Sequence, residues 1–132
     1  SMLRRIGASE HSILAVQNNL ANSYHFLGRL EEALRVRQEV YSGRLRLNGE
    51  EHVLALAAAI NYAAALKRLN RFEEAKALLR RAMPLALRVV GESHTVMLKM
   101  RWNYALALYE DPAATLDDLR EAVTTLEDTE RT

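Results

Sequence analysis

Apolar side chains recur along this chain at intervals of three and four, the spacing that lines one face of an α-helix. Between Glu10 and Leu27 the series Ile13, Val16, Leu20, Tyr24 and Leu27 makes such a face, with Ser9 as N-cap and Gly28 as a left-handed stop. A second helix is predicted from about Leu30 to Leu47. Ala33, Leu34, Val36, Val40 and Tyr41 point inward, and Glu31, Glu32, Arg35, Arg37, Glu39 and Arg44 form a solvated side. A third runs from about His52 to Leu69, turns at Asn70-Arg71, and leads into a fourth from Phe72 to Val90. Pro84 removes a backbone donor inside the fourth and is expected to kink it. A fifth begins near His94. Asp111-Pro112 reads as an N-cap followed by proline at the first position of a sixth, which continues to about Asp128. Acidic Glu127, Asp128 and Glu130 oppose the helix dipole there, so fraying of the last turn is expected.

The pattern copies itself every 42 residues. Gly49-Glu50-Glu51-His52 returns as Gly91-Glu92-Ser93-His94, and Asn61-Tyr62-Ala63 as Asn103-Tyr104-Ala105. Glu31-Glu32-Ala33 returns as Glu73-Glu74-Ala75, whereas Asp117-Asp118-Leu119 matches them only after a two-residue insertion. A fixed period in this range means one supersecondary unit stacked on its copies, which yields a curved binding surface and not a catalytic cleft. The predicted organisation is residues 1–8 as tag scar and N-terminal extension, then repeats at 9–48, 49–90 and 91–132. The pattern stops where a fourth junction would stand, so a longer parent chain is expected.

Composition narrows the chemistry. The 132 residues hold 49% hydrophobic side chains, enough for one core, and no cysteine, which suits the cytoplasm. No secretory leader is read at the start, and no apolar run approaches the roughly 20 residues of a membrane span. A net charge of +1 gives no pull toward nucleic acid or membrane. His52 and His94 stand one repeat apart, too far for a shared ion, and read as helix caps. The acidic pairs recur where second helices begin and read as dipole partners. No metal site, cofactor motif, phosphate loop or nucleophile elbow is present, so no cofactor and no enzymatic activity are expected.

Each repeat reads as helix, short turn, helix, with Ala21, Ala63 and Ala105 in first helices and Ala33 and Ala75 in second ones. In repeat two, Ala63, Ala75 and Ala82 form the small-residue skeleton of the tetratricopeptide repeat, and the chain resembles that family. Its usual period is about 34 residues. The longer period, the G-E-x-H junction and the N-x-A-x-x-L and E-E-A segments resemble kinesin light chain repeats. The resemblance covers about Gly7 to Leu126 and implies an all-α, right-handed solenoid of three helix-turn-helix repeats, six helices. Two departures mark the first repeat: His11 is one residue late for the junction, and Arg37 stands where a bulky apolar residue is usual. They suggest an array end.

The resemblance also implies a concave groove lined by first helices. Asn19, Asn61 and Asn103 fall at one groove position, where a carboxamide can pair with an extended peptide backbone; the alternative is that these amides satisfy neighbouring helices. Asn18, Asn22, Asn61, Lys99 and Asn103 fall at the positions of a terminal-carboxylate clamp, but two of its cations are missing, which argues against one. Lys67, Arg68 and Lys99 would give the groove a basic middle. With Trp102 and Ile60 as apolar contacts it would suit a peptide carrying acidic and aromatic residues. Against this, Lys67 and Arg68 also read as a solvated helix end, and Trp102 as core. The expected function is a non-enzymatic scaffold or adaptor module that binds a protein or peptide segment. The rival is a structural spacer or a self-associating arm joined end to end. Reading of RNA by helical repeats is disfavoured by the charge.

Overall fold

The computed structural model describes residues 9–130; the expected tag scar and extension over residues 1–8 lie outside the described residues. Six helices follow in order: α1 Glu10–Phe26, α2 Leu30–Asn48, α3 Val53–Arg68, α4 Phe72–Val90, α5 Thr95–Glu110 and α6 Leu116–Glu130. No strand occurs among the described residues. Helix α4 continues past Pro84 to Val90, and α6 continues through its acidic end to Glu130.

Side-chain acceptors fix the starts of α1, α3, α5 and α6, whereas α2 and α4 begin without one. Ser9 Oγ accepts from Ser12 N at 3.2 Å. His52 Nδ1 accepts from Leu54 N at 3.1 Å and His94 Nδ1 from Val96 N at 3.0 Å, so the paired histidines are caps one repeat apart. Thr115 and Asp118 form a reciprocal pair, with Asp118 N donating to Thr115 Oγ1 at 3.1 Å and Thr115 N to Asp118 Oδ2 at 2.9 Å. This is the capping-box arrangement, with aspartate in place of glutamate.

The turns inside repeats one and two are copies. Gly28 (φ 75°) and Asn70 (φ 61°) occupy the same repeat position, both left-handed. Arg29 N donates to Tyr24 O and Arg71 N to Leu66 O, each at 2.9 Å, closing Schellman-type ends. Repeat three has Pro112 at that position. Its ring holds φ near −65° and biases the preceding residue to extended backbone, so the left-handed turn cannot form. Asp111 is extended (φ −66°, ψ 120°), its carboxylate accepts from Ala113 N at 2.9 Å, and the chain spends two more residues before the next helix. The expectation of a sixth helix starting at Pro112 is therefore corrected: Asp111 closes α5, and α6 begins at Leu116.

Each helix packs on the next, and the first helices α3 and α5 also pack directly, with no comparable contact between second helices. That asymmetry puts α3 and α5 on the inner side of the curve. Leu56, Leu66, Leu79, Met100, Tyr104 and Leu108 are the largest fully buried side chains. Ala21, Ala63, Ala75 and Ala105 are buried between them, as the small-residue pattern requires. A smaller cluster of Ala21, Val36, Val40 and Ala58 joins repeat one to repeat two. In α1 the buried residues are Ile13, Leu14 and Ala21, and the expected inward Val16, Leu20 and Leu27 are exposed. Among the described residues α1 packs chiefly on α2, with Arg68 of α3 reaching His25, so one side of its apolar face has no described helix against it.

Candidate functional site

Two hollows lie along the inner helices, and Asn61 lines both. The first, about 260 Å³, is bounded by Asn18 and Asn19 of α1, Arg44 of α2, and Leu54, Ala57 and Asn61 of α3. The second, about 340 Å³, is bounded by Asn22, His25 and Phe26 of α1, Arg37 of α2, Asn61, Ala64, Lys67 and Arg68 of α3, and Asn103 of α5. The helical period explains the selection: residues 61, 64 and 68 share a face of α3, and the 42-residue repeat brings residues 19 and 103 to the same height on its neighbours.

The amides differ in their freedom. Asn61 is exposed, and its carboxamide has no partner among the described residues. Asn103 Nδ2 donates to Lys99 O at 2.9 Å, one turn back on its own helix, which leaves its oxygen open. Asn18 and Asn22 are both engaged by Arg37. Its guanidinium donates to Asn18 Oδ1 at 2.6 Å and also to Asn22 Oδ1. Burial pulls the Arg37 pKa below the ordinary arginine value, although the group remains a cation.

The charges form two classes. Lys67 Nζ is bound to Glu110 at 3.0 Å, so it is neutralised across the α3–α5 contact. Arg68 faces His25 Nε2 at 3.4 Å, and neither it nor Lys99 nor Arg37 has a carboxylate partner among the described residues. Phe26 is almost fully exposed beside this cationic stretch. Ile60 is not available to a ligand: it is buried in the core cluster with Leu56 and Leu79. Trp102 is exposed, so it is not core, and it sits apart from both hollows on the last face of the stack, beside Tyr109 and Val123.

Arg37 lines the second hollow, although its place in the sequence pattern put it on a solvated side. The signal for Arg37 was its departure from the apolar pattern at that position. An arginine there reaches across to α1 because the amides of Asn18 and Asn22, one turn apart, offer two acceptors. No group of three or more potential metal ligands occurs among the described residues, and no described helix is long and apolar enough to cross a membrane.

A tetratricopeptide repeat family model matches residues 12–88. Among solved structures, BtubC (BKLC) from P. vanneervenii, a kinesin-light-chain-like tetratricopeptide protein, is similar in fold, with TM-score 0.78 and 19% identity. The match covers 92% of this chain and 46% of that one, so the chain spans less than half the length of this neighbour. A search of the curated proteins found no significant match.

Proposed function

The chain belongs to the tetratricopeptide repeat family, whose members are generally non-enzymatic interaction scaffolds, and on that premise we propose that it binds an extended peptide along its inner helices. The observation that carries this reading is Asn61: an exposed, unpartnered carboxamide shared by two adjoining hollows. Its N–H and oxygen suit the C=O and N–H of a strand-like ligand, and the open oxygen of Asn103 extends the same line. Arg37, Arg68 and Lys99, which have no carboxylate partner among the described residues, favour acidic side chains on that ligand, and Phe26 offers an apolar contact beside them. Absence of cysteine suits a scaffold or adaptor of a reducing compartment such as the cytoplasm.

Screening an array of acidic and non-acidic peptides is expected to return acidic binders whose affinity falls as salt rises. Asn61→Ala should weaken them about fivefold, the worth of a hydrogen bond or so, and Asn61→Ala with Asn103→Ala further. Unchanged affinity in the double variant removes the inner helices from the account.

A further inference from the structure

Among the described residues two charged side chains are buried, Lys76 and Arg44. Lys76 has two carboxylate partners, Glu73 and Asp111. Arg44, 7% exposed, has none among the described residues, and its one partner is His11 Nδ1, 2.8 Å from Nη1. The helical pattern put Arg44 on the solvated side of α2; the structure places it instead in the wall of the first hollow, the one of about 260 Å³. A guanidinium stays charged at physiological pH, so holding one out of water without a counter-ion is costly. The acidic groups at the starts of α1 and α3 are engaged elsewhere, Glu10 by Arg46, Glu50 by Arg81 and Glu51 by Arg88. Residues 1–8 contain no aspartate or glutamate.

The fold itself does not require this polar hollow. One repeat on, the counterparts of Asn18 and Arg44 are Ile60 and Ala86, 6% and 0% exposed in the core with Met100. Repeat one carries an amide and a guanidinium where repeat two has apolar packing. The wall of the hollow offers donors and no carboxylate. Arg37 takes Asn18 Oδ1 at 2.6 Å, which leaves the Asn18 N–H groups free, and the Asn19 and Asn61 amides have no partner among the described residues. The hollow lies between repeats one and two, on the side of α1 that carries Leu14, Ala15, Asn18 and Asn19. In the register of Met100 and Tyr104, by which repeat three packs on repeat two, α1 presents Val16 and Leu20, so a helix preceding α1 would cover a different face.

We propose that Arg44 and the Asn18 amide take one carboxylate, an aspartate or glutamate side chain of the bound peptide, into the first hollow. This site rests on peptide binding along the inner helices and fixes where one acidic residue of the peptide must stand. Arg44 Nε and Nη2 have no partner among the described residues and are not sealed from solvent, so the guanidinium can donate to both carboxylate oxygens. Arg68 and Lys99 are exposed and attract acidic residues with little regard to position. Arg44 is buried, and its ion pair selects a single position.

Calorimetric titration of the tightest acidic peptide from the array tests this, with each Asp or Glu replaced in turn by Asn or Gln, on wild-type protein, Arg44→Met and Asn61→Ala. On wild-type protein one acidic position should account for about tenfold in affinity, and the others for much less. Arg44→Met should lose the same factor and become indifferent to that position. Arg44→Met that binds the parent peptide as wild type does overturns the proposal. If Asn61→Ala weakens that peptide all the same, binding along the inner helices survives the failure; if neither variant weakens it, both readings fall. Amidation of the peptide C-terminus should change nothing. Loss on amidation alone, with every internal replacement neutral, overturns the side-chain assignment in favour of a terminal carboxylate. Acetate titrated into isotope-labelled wild-type protein gives a reading that needs neither a peptide nor a folded variant. The Arg44 Nε–H and Asn18 side-chain amide signals should shift and saturate with acetate and not with chloride at the same ionic strength. Equal responses to the two salts overturn the proposal.

Discussion

Lys76 and Asp111 form a 3.1 Å ion pair that ties α4 to the end of α5, with side chains only 3% and 10% exposed. One repeat earlier, Leu34 and Leu69 hold the same two positions within the apolar core. Burial pulls the Lys76 ammonium down, but Glu73 and Asp111 together more than offset it and hold its pKa above the ordinary lysine value. Glu73 is largely in water, so loss of Asp111 leaves a buried cation with a weakly held partner. Asp111→Ala is therefore expected to lower Tm by several degrees. Lys76→Leu combined with Asp111→Leu, which copies the repeat-one pair, should lose less than the two single changes added together. Thermal melts of the four proteins check this; strict additivity would contradict it.

Acid should loosen the turn between α5 and α6. The Ala113 N–H, and after it Lys76, hold Asp111 below the ordinary aspartate value of 3.8, and the Thr115 N–H does the same for Asp118. A carboxylate with a depressed folded value stabilises the fold above its unfolded value and loses that contribution as pH falls through the folded one. Tm should hence be insensitive to these groups above about pH 5 and fall below about pH 4. Asp118→Asn should begin less stable and show a shallower acid loss. Parallel acid profiles for the two proteins would remove the turn from the explanation.

Asn70 carries a left-handed backbone that its counterpart Gly28 adopts without cost. Asn70→Gly should leave stability unchanged or slightly raised, while Asn70→Ala should lower it by about 1 kcal/mol, the penalty for a Cβ in that region. Urea titration distinguishes the two, and an alanine variant as stable as wild type would refute the assignment.

Close helix approach in the second repeat depends on Ala63, which is fully buried, whereas Ala64 faces the inner hollow. Ala63→Leu should cost about 1–3 kcal/mol through overpacking. Ala64→Leu should leave stability nearly unchanged while obstructing the hollow. Equal losses at both positions would mean that α3 is rotated from the orientation described.

Helix spacing, the 42-residue phase and the buried alanines were legible because each is a periodic property of one chain segment. The start of α6 was misread because Asp-Pro is equally a helix start and a helix end; only the counterpart positions Gly28 and Asn70 reveal that Pro112 displaces a left-handed residue. Exposure of Val16 and Leu20 was not legible, since an apolar stripe does not say whether a neighbouring repeat covers it. Pairings across helices were least accessible. That Lys67 meets Glu110, or that Arg37 holds Asn18 and Asn22, depends on how far long side chains reach between packed elements.

Isotope-labelled protein titrated with the tightest acidic peptide from the array reads the inner-helix account most directly, through the side-chain amide signals of Asn19, Asn61 and Asn103. The account predicts that these signals, with backbone signals of α1, α3 and α5, shift together and saturate, and that Asn61→Ala weakens the titration about fivefold. Shifts confined to α2 and α4 or to the Trp102 face, with Asn61→Ala binding as wild type does, would contradict it.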